Sequence, residues 1–272
     1  VDADGQWTTA TNWSSNPALP GALDDVTIDR PAGDYLVTLS SGTQNINSLT
    51  LANRLEIAGG TLNVATTANL SRSLWLRGGM LGTATIVSDA TGLVYLGNGG
   101  GGGGTLNAIN LDSNALMFNA SSTTVTGGLS LATGRTLTLS GSSSNTRLRF
   151  SGSQTLSGTG AIVFDGFGDS NCGVDVISGT LTIGPSMEIR SGAAGGIVGT
   201  GGQGLTNEGT IASQTSGRTI TVTGANWRNE GLISASNGGI VSLAGSIAVG
   251  GLGNFTGGTA VRLTGTLNNT GF

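Results

Sequence analysis

The chain has 272 residues, 50 of them Gly, with 10% charged residues, a net charge of −4 and no His. Its 11 basic residues are all Arg and form no basic stripe, which removes the electrostatic footprint of nucleic-acid binding; without Lys or His there is no Ser-His-Asp triad and no His or Lys general base. The 37% apolar content opposes disorder, the 4 Pro without a Gly-X-Y period exclude collagen, and no apolar run approaches the roughly 18 residues of a membrane span.

Residues 1–40 differ from the rest. They hold Trp7, Trp13, Pro17, Pro20 and Pro31, together with Asp2, Asp4, Asp24, Asp25, Asp29 and Asp34. Bulky Trp with turn-forming Pro-Gly suits a seal over the first rung of a stacked array, whose open end would expose core and unpaired strand edges. This segment reads as an N-terminal cap, with strands expected at 25–28 and 35–39.

From about residue 45, period-2 stretches alternate with Gly-Gly, Ser-Gly, Asn-Gly and Thr-Gly punctuation. Strands are expected at 48–51, 61–64, 73–76, 93–96, 116–118, 136–139, 147–150 and 162–164. Those at 180–183, 188–189, 219–223, 240–243 and 260–263 follow. The run Gly99 to Gly104 cannot be strand interior without losing packing and backbone entropy, so it reads as an exposed loop or wide turn. Stretches 166–173 and 192–204 are similarly irregular. Gly60-Thr61-Leu62 returns as Gly104-Thr105-Leu106 after 44 residues, and Leu137 and Leu181 stand at the same distance, about two coils.

Towards the C-terminus the repeat is plain. Leu205-Thr206-Asn207-Glu208-Gly209-Thr210-Ile211 returns 22 positions on as Trp227-Arg228-Asn229-Glu230-Gly231-Leu232-Ile233, and Phe255 lies 22 beyond Ile233. Between these, Ile220-Thr221-Val222, Val241-Ser242-Leu243 and Val261-Arg262-Leu263 recur at steps of 21 and 20. Such self-similarity means stacked supersecondary units, here coils of strands and turns. The expected fold is all-β: a single-stranded right-handed parallel β-helix, or β-solenoid, with coils of about 20–25 residues, a cap over 1–40 and an uncapped helix over 41–272. Leu, Ile and Val would fill its core, charges would sit beside turns, and Asn207 and Asn229 would either ladder their amides or serve as turn residues.

The opening Trp7, Asn12-Trp13, Leu19-Pro20-Gly21 and Asp24-Asp25-Val26-Thr27-Ile28 resembles the entry segment of bacterial surface-exposed right-handed parallel β-helix proteins. The phrases Asn207-Glu208-Gly209-Thr210-Ile211 and Leu267-Asn268-Asn269-Thr270-Gly271 resemble passenger repeats of autotransporter-like and filamentous-haemagglutinin-like adhesins. The resemblance, one of composition and rhythm over nearly the whole chain, implies the fold and an extracellular, cell-surface location.

Several residues are candidates for chemistry. Asp165, Asp169 and Asp175, with Phe167 for sugar stacking, are the best carboxylate cluster for a glycosidase or carbohydrate-binding loop, against an ordinary acidic solvated loop. Asp2 and Asp4 have the spacing of the start of a calcium loop, and Asp165 with Asp169 is similar, but both lack the later carboxylates and the bidentate Glu. Thr136/Thr138, Thr180/Thr182 and Thr219/Thr221/Thr223 raise the possibility of an ice-binding Thr face. Cys172, lacking a His or Lys partner, reads as a packed thiol, and Trp75 and Trp227 as core or groove-lining side chains against ligand-stacking ones. The expectation is a non-enzymatic structural or adhesive solenoid without a cofactor. Its last coil is covered by another copy or by further chain, with Trp7, Trp13, Val261, Leu263, Leu267 and Phe272 as the assembly surface and a glycan or cell-surface ligand as a further partner.

Overall fold

Each short strand points its aliphatic residues one way and its polar residues the other. In Arg54–Ile57, Leu55 and Ile57 are buried while Arg54 and Glu56 face outward. Thr61–Val64 buries Leu62 and Val64, and Thr67–Leu70 buries Ala68 and Leu70. These three strands make one coil, after which the chain climbs a rung and repeats. The computed structural model describes residues 3–30, 33–257 and 260–269. The chain is 53% strand, wound as a β-solenoid of about 11 turns. With rungs about 4.8 Å apart, such a stack is roughly 50 Å long.

Among the described residues every strand pairing is parallel, as one winding chain requires, because each strand's partner is the same segment one coil later. Three ladders result. The first is a 12-stranded sheet from Gly5–Gln6 to Asn254–Thr256. The other two merge into a 19-stranded sheet because Thr105–Asp112 and Ser122–Leu131 run unbroken from one ladder into the next. Their corner is a change of register between Asn107 and Ile109, where Ala108 takes φ 53° opposite Gly127 and Gly128.

The core is a column of stacked inward residues. On the first ladder Val37, Leu55, Leu74, Val94, Ala115, Leu137, Ile162, Ile189, Ile211, Ile233 and Phe255 lie in register. Burial of each large aliphatic side chain contributes about 1.5–3 kcal/mol. Those same residue numbers give the coil lengths: 18 residues from Val37 to Leu55, 27 from Ile162 to Ile189, then 22. The coils therefore range more widely than the sequence rhythm implied. The longest coils have six- or seven-residue strands, such as Thr146–Ser151, Ala161–Gly166 and Cys172–Ser178. Fully buried Phe150 and Phe164 fill the wider section there.

Glycine makes the corners. Gly60, Gly79 and Gly104 stack where one turn lies directly on the next, so that a Cβ on Gly79 would overlap the Gly60 carbonyl oxygen and one on Gly104 would crowd the Gly79 oxygen. Gly224, Gly245 and Gly265 form a second column of this kind. The run Gly99–Gly104 is indeed a loop between strands, yet Gly103 is buried under the next coil, so only part of it is exposed.

The repeat phrases fall in register: Ile211 on Ile233 on Phe255, and Ile220 on Val241 on Val261. Thr61, Met80 and Thr105 pair in succession, so the first 44-residue echo spans two coils of one ladder. The second echo does not, since Leu137 lies on the first ladder and Leu181 on the third. Asn207 and Asn229 form the amide ladder: Asn207 Nδ2 donates to Asn229 Oδ1 at 2.7 Å, and Asn229 Nδ2 to the carbonyls of Leu252 and Asn254. Both are buried, at 0% and 1% exposure, pointing into the column rather than standing on a turn. Many charges lie beside turns as expected, among them Arg72, Arg77, Asp89, Arg135, Asp169 and Arg218, while others such as Glu56, Arg149 and Asp175 take outward strand positions; Glu56 pairs with Arg77 of the next coil at 3.5 Å.

Candidate functional site

The acidic cluster read from the sequence lies where the chain leaves the first ladder after Ala161–Gly166 and enters the second at Cys172–Ser178. Asp165 Oδ1 accepts the Ala193 N–H at 3.2 Å, and Asp169 Oδ1 accepts the Gly195 N–H at 3.2 Å. Both carboxylates thus hold the turn of the next coil. Asp169 also stands 3.9 Å from Arg218 Nη1, and that guanidinium lies 5.7 Å from the centre of the exposed Phe167 ring. Asp175 stands apart on the second ladder, registered with Arg149 and 3.8 Å from Arg147 Nη1. The structure therefore brings Asp165 and Asp169 to one corner without gathering the three carboxylates over a common groove. Cys172 is buried below them, its S–H donating to Leu139 O and Asp165 O, and burial raises its thiol pKa above the ordinary value.

Asp175 supplies a pH prediction. Burial raises its pKa, opposed by Arg147 and Arg149. A carboxyl whose folded pKa is raised weakens the fold while ionised, fully above the folded value, and the penalty fades as pH falls towards the ordinary 3.8. Asp175→Asn removes this titration. The stability of the variant minus that of the parent, from urea unfolding, is expected to be more positive at neutral pH than near the ordinary carboxylate pKa. The opposite order would show that the Arg147 contact outweighs burial.

The calcium candidates are accounted for in the same way. Asp4 Oδ1 accepts the Leu36 N–H at 2.8 Å, tying the first rung to the next, while Asp2 lies outside the described residues. Among the described residues no group of three or more Asp, Glu, Cys or His side chains is placed to share a cation. The Thr steps divide among the ladders: Thr136 and Thr138 on the first, Thr219 and Thr221 on the second, Thr180 and Thr182 on the third, so they do not build one flat face. Among the described residues no helix is long and apolar enough to cross a membrane.

The four Trp separate by role. Trp227 is fully buried, donating Nε1–H to Ala244 O at 2.8 Å. Trp75 faces outward and stacks on Tyr95 at 4.3 Å, with Phe118 5.4 Å from Tyr95 and Arg77 4.6 Å over the indole. Sequence reading missed this stack because its members come from three coils, and only the register of Tyr95 on Trp75 brings them together. At the N-terminal end Trp7 is fully buried and Trp13 covers it, with ring centres 4.8 Å apart and Trp13 Nε1 donating to Trp7 O at 2.6 Å.

The two ends are thus unlike. At the last described coil Leu263 and Leu267 are 53% and 38% exposed, although their partners one coil earlier, Leu243 and Ile247, are 5% and 0% exposed. Val261 is partly buried, and Phe272 lies outside the described residues. No family model, curated protein or solved structure matches this chain. Its fold and the chemistry of its surfaces therefore carry the functional argument.

Proposed function

We propose that the chain is an extracellular scaffold at a bacterial cell surface, a stalk, spacer or fibre subunit that self-associates head to tail. The stacked solenoid carries this reading, and the inward residues of its last described coil would be covered by a further rung, of this chain or of another copy. Leu263 and Leu267 continue buried columns, and a further parallel rung laid on Val261–Leu263 and Thr266–Asn268 would cover them while satisfying the strand edge. A contact between unlike ends repeats without closing, which makes filaments. At the opposite end the partner would meet Trp13 and the segment around it, since Trp7 has no exposed surface. The resemblance to surface adhesins supports the location, and the solenoid suits the work because reach grows linearly with coil number.

Light scattering and negative-stain electron microscopy test this. The parent chain is expected to grow into rods as concentration rises, and Leu263→Lys with Leu267→Lys to remain single solenoids of unchanged circular dichroism. A parent chain that stays monomeric throughout, or a double variant that still forms rods, overturns the head-to-tail reading.

A further inference from the structure

The outward face of the first ladder carries an ordered pattern of charge around an apolar middle. Leu116 stands at its centre. Three rungs before it is Glu56, with Trp75 and Tyr95 between, and three rungs after it is Arg190, with Thr138 and Val163 between. Two positions earlier on those end strands stand Arg54 and Glu188, so Arg54–Ile57 and Glu188–Ser191 carry opposite charges in the same two columns. In a third column Arg77 lies two rungs before the level of Leu116, and Asp165 two rungs after it. Bridges within the chain, Arg77–Glu56 at 3.5 Å and Arg190–Glu188 at 3.3 Å, hold these side chains but do not require their mirrored signs.

We propose that two copies of the chain pair side by side and antiparallel through this face, about a two-fold axis parallel to the Ala115–Met117 strand. That operation keeps each column and reverses the order of the rungs. Arg54 then faces the partner's Glu188, Glu56 faces the partner's Arg190, and Arg77 faces the partner's Asp165, each pair occurring twice. No outward charge between the rungs of Glu56 and Arg190 meets its own sign. At the centre Leu116 and Phe118 meet their own counterparts, flanked by Trp75 and Tyr95. The Trp75 and Tyr95 rings stack 4.3 Å apart, about one rung spacing, so they cover each other's faces and turn their edges outward. Arg77 lies 4.6 Å over the indole and Phe118 5.4 Å from Tyr95, which leaves an apolar ridge suited to protein contact rather than to stacking a sugar. Seven rungs and five residues of strand give a face of roughly 30 by 17 Å, about 500 Å². A standard interface takes about 800 Å² from each partner, so the expected dimer is weak. The pairing uses a side of the solenoid and not its ends, and it stands or falls apart from head-to-tail assembly.

Sedimentation velocity tests this on the Leu263→Lys, Leu267→Lys chain, in which end-to-end growth is blocked. Between low micromolar and millimolar concentration it is expected to pass from one copy to two and stop there. Glu56→Arg alone and Arg190→Glu alone are each expected to weaken the dimer about tenfold or more, because both symmetric pairs become repulsive. An equimolar mixture of the two variants is expected to dimerise as the unsubstituted face does, since positions 56 and 190 again carry opposite charges across the pair. Within one chain those positions lie about 29 Å apart and cannot repair each other. If circular dichroism shows either variant misfolded, Arg54→Glu and Glu188→Arg, on side chains 38% and 37% exposed, are mixed in the same way. Arg149→Glu, on the exposed second ladder, is expected to leave the dimer unchanged. A chain that stays single to millimolar concentration, a mixture no tighter than its separate variants, or a dimer lost in Arg149→Glu overturns the proposal.

Discussion

Gly79→Ala is expected to destabilise the fold by about 1–3 kcal/mol or more, the range of overpacking in a well-packed core, although it adds a single methyl group. Gly79 does not have the positive φ that strains an L side chain, so its backbone suits Ala. The whole effect is therefore steric. Its Cβ would be driven into the Gly60 carbonyl oxygen and the Ile57 side chain. Those neighbours cannot withdraw, because Gly60 O accepts the Met80 N–H at 2.9 Å and Ile57 is fully buried in the column. Relief would require the rungs to separate and break the pairing of Met80 with Thr61. Gly201→Ala supplies the control, since a Cβ there meets nothing within 4 Å and φ is not positive. Urea unfolding should place Gly201→Ala at the parent midpoint and Gly79→Ala well below it. Equal midpoints would mean that the coils breathe enough to admit a methyl group, and the account of the glycine columns would fail.

What the sequence displayed and what it hid follow from that geometry. The period-2 alternation and the echoes at 20–22 residues were legible because Ile220, Val241 and Val261, or Ile211, Ile233 and Phe255, are registered rungs of one ladder. Strands such as Arg54–Ile57, Thr67–Leu70 and Leu232–Ala235 were passed over because four residues with two inward positions give too little pattern to stand out beside Gly-rich turns. Three strands per coil went unread for the same reason. Coil length drifts between 18 and 27 residues, so a fixed period misassigned Leu137 and Leu181 to one ladder and could not line up Trp75 with Tyr95. The abundance of Gly was visible in the composition, but its cause was not. Contact between turns of successive coils is a three-dimensional relation. Asp165 and Asp169 were rightly singled out as neighbours of an irregular turn, while their bonds to Ala193 and Gly195 in the next coil required the register.

Trp227→Ala is expected to cost about 3–5 kcal/mol, the range for removing a buried large aromatic side chain. Trp227 is the bulkiest inward residue of its coil, fully buried, bridged to Ile247 on the following rung and adjacent to the Asn207–Asn229 ladder. Truncation would leave a cavity across the column and strip Ala244 O of the indole donor. The rungs above and below are fixed by their own strand pairing and by Asn229, so the space cannot close by simple collapse. Because each coil of a solenoid touches only its neighbours, the damage should be local. Hydrogen exchange is expected to lose protection at Leu205, Ile233, Val241 and Ile247, while Leu55, Leu74 and Leu137 exchange as in the parent. Trp227→Phe keeps most of the volume and loses the hydrogen bond, so it should cost about 1 kcal/mol from that bond, with a smaller packing loss. Uniform loss of protection along the chain would reveal one all-or-none unit instead of a stack of coupled coils. A Trp227→Ala variant as stable as the parent would show that the column is not closed around the indole.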